Sequence, residues 1–189
     1  MPPKAVKTVR ELIYWQYAKL IARSAGMGKQ YGFIMKTFQD LKTGRKHWSD
    51  ILREDRKMLQ SGPPACAYCG STESLSMDHI IPQRINAPAD CDVHQIHNLV
   101  WCCRPCNSAK GGRDVFTWYG PERRNEVPRI VEGKFLKLAY ECDACRGTLD
   151  SADLDMNLQL DVRDLGWIFN QPCPGVRRGQ EPAGAGEES

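Results

Sequence analysis

Two cysteine pairs constrain this chain more than any other feature. Cys66-Ala-Tyr-Cys69 and Cys103-Arg-Pro-Cys106 each set two thiols three residues apart. A tight turn with that spacing supplies two metal ligands at once, and two such turns complete a tetrahedral zinc site. Gly70, just after the first pair, suits a knuckle turn. The gap between the pairs is longer than in common zinc ribbons, so a whole hairpin has to fit inside it. The competing reading is two buried, reduced pairs with no metal. Four thiolates would leave the ion no open position for water, which makes such a zinc structural and not catalytic.

The redox setting agrees with metal over disulfides. The start, Met1-Pro-Pro-Lys-Ala-Val-Lys7, has no continuous apolar stretch of the secretory kind, and the chain has nine cysteines, an odd number. Both point to a reducing compartment, here the cytoplasm, where cysteines bind metal more often than they pair. Cys102 is adjacent to the second pair but wrongly spaced to join it. Cys142 and Cys145 form a third Cys-x-x-Cys on a helical apolar stripe and are expected to pack there. A second metal site would need partners such as Cys91 or Cys173, whose surroundings give it no support.

The polar residues inside the bracket carry the chemistry. Met77-Asp78-His79-Ile80-Ile81-Pro82 lies between the pairs, Asn98 precedes the second pair, and Asn107-Ser-Ala-Lys110-Gly111 follows it. A neutral histidine can take a proton from water near pH 7. Carboxylate and amide oxygens suit a hard divalent cation. Neighbouring residues on a strand point to opposite faces, so Asp78 and His79 need not compete for one role.

That order of residues resembles the HNH endonucleases, the zinc-stapled branch of the ββα-metal nucleases, over about 45 residues from Cys66 to Lys110. The resemblance implies that His79 is the general base. It implies that Asp78 and Asn107 hold one Mg²⁺ or Mn²⁺ ion on the scissile phosphate. Asn98 would brace the hairpin loop and orient His79. Cys66, Cys69, Cys103 and Cys106 would hold the structural Zn²⁺. Asn107 stands where many members have histidine, and its amide oxygen remains a competent ligand for a hard cation. Lys110 and Arg113, on the helix after the second pair, are candidate phosphate contacts, and Arg84 is a weaker one. The implied partner is nucleic acid, with double-stranded DNA the expected form. His94 and His97 lie close to Asn98 without a motif of their own.

Charge is unevenly spread. Residues 1–62 carry 13 Lys/Arg against 5 Asp/Glu, whereas residues 63–122 carry 4 against 6 and residues 123–170 carry 7 against 9. A basic segment beside such a core suits contact with a phosphate backbone, or else a solvated helical face. No apolar run is long enough to span a bilayer.

Along the chain, Thr8-Val-Arg-Glu11 reads as a capping box. Val9, Leu12, Ile13, Tyr17, Leu20 and Ile21 then recur at helical spacing, predicting a helix over 9–25. Apolar stripes around Phe33–Leu41 and Trp48–Leu59 predict two more helices. Ser74–Ile81 and Asn98–Cys102 predict strands, separated by a loop over Pro82–Val93. A helix is predicted to start near Arg104-Pro105. Pro128 opens another, with Val131, Phe135, Leu138, Cys142, Cys145 and Leu149 on its stripe. Leu154, Met156, Leu158, Leu160 and Val162 alternate with polar residues, which predicts a strand. From Gln171 the chain is rich in Pro, Gly, Ala and Glu, and a disordered tail is expected.

The expected fold class is α+β: a zinc-stapled ββα-metal core over 63–122, a basic helical N-terminal extension over 1–62, and a C-terminal helix-plus-strand extension over 123–170. The expected function is metal-dependent hydrolysis of DNA phosphodiester bonds. Restriction, phage defence, homing and packaging all use such domains, in bacterial or phage-encoded proteins. Two other readings stay open: a non-catalytic, zinc-dependent nucleic-acid-binding module, and a subunit active only as a homodimer or with a partner protein.

Overall fold

The computed structural model describes residues 2–60, 65–82 and 96–170. The Arg84 candidate, most of the expected Pro82–Val93 loop, Cys91, His94, Cys173 and the expected tail lie outside those residues.

Three helices open the chain: α1 (Val9–Ser24), α2 (Tyr31–Lys42) and α3 (Ser49–Gln60). Thr8 starts α1 by accepting the Glu11 N–H at 3.3 Å. The Glu11 carboxylate reaches back one residue further than a capping box requires and takes the N–H of Lys7 at 2.7 Å. The apolar stripe read from the sequence is buried, except that Ile21 is only half-buried. Trp15, Ala18 and Ala22 are buried as well. A helix buried on more than one face needs cover on more than one side, and α2 and α6 (Arg129–Arg146) supply it. Trp48, at the start of α3, stacks on Tyr17 with ring centroids 4.1 Å apart. Gly133 lets α6 approach α3 closely, since a Cβ there would collide with Ile51 Cδ1.

Two strands, β1 (Leu75–His79) and β2 (Leu99–Cys103), pair antiparallel, with Leu75 opposite Cys103 and His79 opposite Leu99. Helix α4 (Arg104–Lys110) follows β2 without a loop, with Pro105 in its first turn. This is a strand-strand-helix unit. Its apolar residues Ile80, Ile81 and Val100 join one continuous core with α1, α2, α3 and α6, while Cys66, Cys102 and Cys103 form a small separate cluster. The hairpin is therefore packed against the helical part and does not stand alone.

A buried ionic node reinforces that seam. Lys134 of α6 and Asp55 of α3 are ion-paired, with side chains 0% and 2% exposed. The Lys134 ammonium also donates to the Leu99 carbonyl at 2.6 Å. Asp55 Oδ2 lies 3.0 Å from His97 Nδ1 and accepts the His97 N–H at 3.3 Å. Two helices remote in sequence thus grip the start of β2. The sequence reading missed this node, and His97 finds its partner there.

Helix α5 (Val115–Arg123) was also missed. Asp114 caps it by accepting the N–H groups of Phe116 and Thr117, and Gly120, at φ 73°, breaks it before Pro121. The C-terminal extension needs a correction. Residues 154–162 form no strand; they are an irregular loop leading into α7 (Val162–Trp167). Met156 and Leu158 are 81% and 94% exposed, and their φ angles are 56° and 65°, left-handed values incompatible with a strand. The physical cause is the residues between the leucines. Asp153 accepts the N–H groups of Asn157 and Leu158, and Asn157 accepts that of Gln159. Such local bonds compete with a ladder for the same donors, and here they win.

Candidate functional site

The turn ahead of β1 and the junction of β2 with α4 bring the four cysteines together. Gly70, at φ 77°, closes the first turn by donating to the Cys66 carbonyl at 2.8 Å. Cys103 ends β2 and Cys106 lies in the first turn of α4. The four sulfurs all lie within 4.8 Å of one another, and Cys69 Sγ is 3.6 Å from Cys103 Sγ. A tetrahedron with Zn–S of about 2.3 Å has edges of about 3.8 Å, so the residues present fit zinc. Burial pushes the Cys66 thiol up, but N–H donors of Cys103, Cys69 and Tyr68 outweigh it and bring it down to about 6. Burial pushes the Cys106 thiol well up. Cys102 is wholly buried, is pushed up to about 12 by burial, and donates to the Cys103 carbonyl instead of joining the cluster.

The polar site is built on the far end of the same hairpin. Asp78 is 7% exposed. Its carboxylate accepts from the Tyr68 hydroxyl at 2.9 Å and pairs with the Lys110 ammonium at 3.2 Å. Lys110 also donates to the His79 carbonyl at 2.6 Å. Lys110 was expected to reach phosphates, and the structure corrects this: its side chain is 1% exposed and is committed to docking α4 onto β1. A buried ammonium needs a paired carboxylate, and Asp78 is the one in reach. Burial pushes the Tyr68 hydroxyl well up, and the Asp78 charge adds to it. Tyr68 was not singled out from the sequence, and its only signal is its place inside the first cysteine pair.

His79 ends β1 and is half-buried. Asn98 makes a two-point clamp two residues beyond it, accepting the Ile81 N–H at 2.9 Å and donating to the Ile81 carbonyl at 2.8 Å. Asn107 is half-buried on α4, three residues before Lys110. Exposed Arg113 closes the end of α4 by donating to the carbonyls of Ala109 and Lys110. The structure thus joins Asp78, the His79 backbone and Lys110 by direct bonds. It sets Asn98 against the chain leaving His79.

Cys142 is wholly buried in α6, with its thiol pushed up to about 12 by burial, whereas Cys145 is exposed. No described helix is long and apolar enough to cross a membrane.

Comparison with known proteins agrees with this geometry. Residues 66–114 match the family model described as HNH endonuclease. No curated protein and no solved structure matches the chain. The matched segment holds the four-cysteine cluster, both strands and α4, and it points to a nuclease or nucleic-acid-related function.

Proposed function

We propose that the chain is a metal-dependent endonuclease that hydrolyses DNA phosphodiester bonds at the hairpin-helix unit. One observation carries the reading: Lys110 bonds both Asp78 and the His79 carbonyl, which docks the helix bearing Asn107 onto the strand bearing Asp78 and His79. Residues 31 and 32 positions apart in sequence are held by those two bonds as one unit.

Neutral His79 takes a proton from the attacking water. Asp78 and Asn107 would hold one Mg²⁺ or Mn²⁺ ion. When bound, such an ion polarises the scissile phosphate and stabilises the leaving oxygen. The donor set fits a hard cation, because a carboxylate has about four lone-pair sites and Tyr68 and Lys110 occupy only two. Asn98 keeps the chain beyond His79 from shifting, which fixes the imidazole's approach. The cysteine cluster, whose four thiolates would leave an ion no ligand position for water, would hold structural Zn²⁺ and anchor Tyr68 beside Asp78. Exposed Lys36, Arg56 and Lys57 of the N-terminal helices, with Lys46 in the connection between α2 and α3, suit contact with the duplex backbone. A homodimer or partner protein would extend this surface.

Asp78 already carries the Lys110 ammonium, and that observation favours the second reading, a zinc-stapled binding module that does not cut. Plasmid nicking with Mg²⁺ separates the two. The wild type is expected to nick, and His79→Ala to lose cutting while retaining DNA binding in a gel-shift assay. Binding without cutting by the wild type, under Mg²⁺ and Mn²⁺ alike, would favour the module. Equal cutting by both proteins would remove His79 from the reaction.

A further inference from the structure

The loop before α7 has a second identity. Asp153-Leu-Asp-Met-Asn-Leu-Gln-Leu-Asp-Val-Arg-Asp164 presents side-chain oxygens at its first, third, fifth, ninth and twelfth positions. That is the spacing of the twelve-residue loop that wraps a calcium ion, in which the seventh residue offers its carbonyl and the sixth turns sharply. Here Leu158 is sixth, with φ 65°, and Gln159 is seventh. The ninth residue, Asp161, caps α7, and the twelfth, Asp164, returns the capping bond from inside the helix. Two departures exist. Leucine replaces the usual glycine at the sixth position, and aspartate replaces the longer glutamate at the twelfth.

The fold converges these groups. Carboxylate oxygens of Asp153, Asp155 and Asp164 lie within 4.8 Å of one another. Like charges this close repel unless a cation sits among them. Among the described residues, none of the three pairs with a lysine or arginine.

A separate observation comes from outside the loop. Asp143 of α6 is wholly buried, and its Oδ2 has no hydrogen-bond partner. Burial pushes its carboxyl up to about 7; Thr148 and Arg146 pull it back, and the charge of Asp164 adds to the rise. A buried, unpartnered carboxylate oxygen thus stands within electrostatic reach of the loop's last ligand. A buried oxygen left unsatisfied costs free energy unless something positive approaches it.

We infer that residues 153–164 form a calcium-class cation site, with Asp153, Asp155, Asn157 and Asp164 as side-chain ligands and Gln159 as the carbonyl ligand. Calcium fits better than magnesium, because it accepts six to eight oxygens in irregular geometry and magnesium demands a near-ideal octahedron. The bound ion ties the loop to the first turn of α7, which packs on α1 and α6. The site is separate from the proposed nuclease centre, and it stands or falls without it.

The test is calorimetric titration of the full-length, zinc-loaded protein with calcium chloride, together with its thermal unfolding. Saturable one-site binding and a raised Tm are expected. Asp155→Ala and Asn157→Ala, both at half-buried positions outside the core, are expected to weaken binding by roughly tenfold or more. Asn107→Ala is expected to leave calcium binding unchanged. The inference is overturned if no saturable binding occurs up to about 10 mM calcium. It is also overturned if both loop variants bind as the wild type does while Asn107→Ala does not, or if magnesium saturates the site at the same concentration as calcium.

Discussion

The cysteine cluster and the acidic loop pose one structural problem and answer it with opposite chemistry. In each, like groups converge on one point, from two stretches of chain in the cluster and from one in the loop. The cysteine cluster uses four soft thiols from two short turns, with Cys69 Sγ and Cys103 Sγ 3.6 Å apart. The acidic loop uses hard oxygens from one twelve-residue turn, with a buried, unpartnered carboxyl of α6 in electrostatic reach of it. The cluster sits outside the main core, packed among the described residues against buried Cys102 and partly buried Tyr68 and Leu75. The loop, by contrast, is pegged to the core by Leu154 and Leu165. Metal therefore matters to the two regions in different measure. The hairpin has little apolar mass of its own and is expected to depend on an ion held by the cysteines, whereas α7 packs into the core through Leu165.

The largest effect tests the first half of that contrast. Structural zinc contributes about 10–16 kcal/mol of apparent binding free energy in small metal-dependent folds. Cys103→Ser, or removal of zinc by a strong chelator, is expected to abolish amide-exchange protection across β1, β2 and α4. Protection in α1 and α6 is expected to persist, since their core is continuous without the cysteines. Full retention of hairpin protection in the metal-free protein would break the comparison.

The seam between the hairpin and the helices comes next. Lys134→Met leaves Asp55 buried with only His97 to pair with. Breaking one partner of a buried pair costs about 3–5 kcal/mol. Urea unfolding is expected to show a loss of that order, and the Leu99 carbonyl also loses its donor. A loss below about 1 kcal/mol would mean that the node is solvated and that the hairpin docks by apolar contact alone.

How far each region could be read in advance follows from the same contrast. Cysteines at fixed spacing have few other uses, so the cluster, the hairpin around it and α4 were legible. The two long helical stripes were legible because 3.6-residue periodicity over four turns has no competing explanation. The loop misled because its ligands sit at every second position. Leu154, Met156, Leu158 and Leu160 between them imitate a strand, although two of these side chains point into solvent. The Lys134–Asp55 node and the Lys110–Asp78 pair were invisible for another reason. A lysine in sequence carries no mark that it will be buried, and only packing between remote elements decides it. Asp78, His79, Asn98 and Asn107 were singled out by their order within and directly after the cysteine bracket.

A pH experiment tests the acidic half. Asp143 has an ordinary carboxyl value of 3.8 and is pushed up to about 7 in the fold, chiefly by burial. The fold therefore holds it protonated where the unfolded chain has released its proton. The stability this group contributes is fully present below pH 3.8 and is lost as pH rises toward about 7. Across that window the loss is roughly 2–4 kcal/mol by the usual conversion. Asp143→Asn is expected to flatten the slope measured by urea unfolding in calcium-free buffer. An unchanged slope would show that Asp143 is compensated in the fold and that its free oxygen makes no demand on the loop.

The smallest effect compares one backbone conformation in the two sites. Gly70 at φ 77° and Leu158 at φ 65° both occupy the left-handed region. Glycine holds that conformation at little cost, while an L-residue with a Cβ pays roughly 1–2 kcal/mol. Leu158 is 94% exposed, so its side chain returns almost nothing by burial. Leu158→Gly is thus expected to relieve strain, partly offset by the extra freedom of glycine in the unfolded chain, for a net gain of about 0.5 kcal/mol. Gly70→Ala is expected to lose about 1 kcal/mol, because no contact offsets the strain there. If the loop is a cation site, Leu158→Gly should also tighten calcium binding, since the sharp turn at the sixth position is then available without strain. A destabilised Leu158→Gly protein would mean that Leu158 is held by contacts on another molecule or segment, and the loop's geometry would have to be explained by that surface instead.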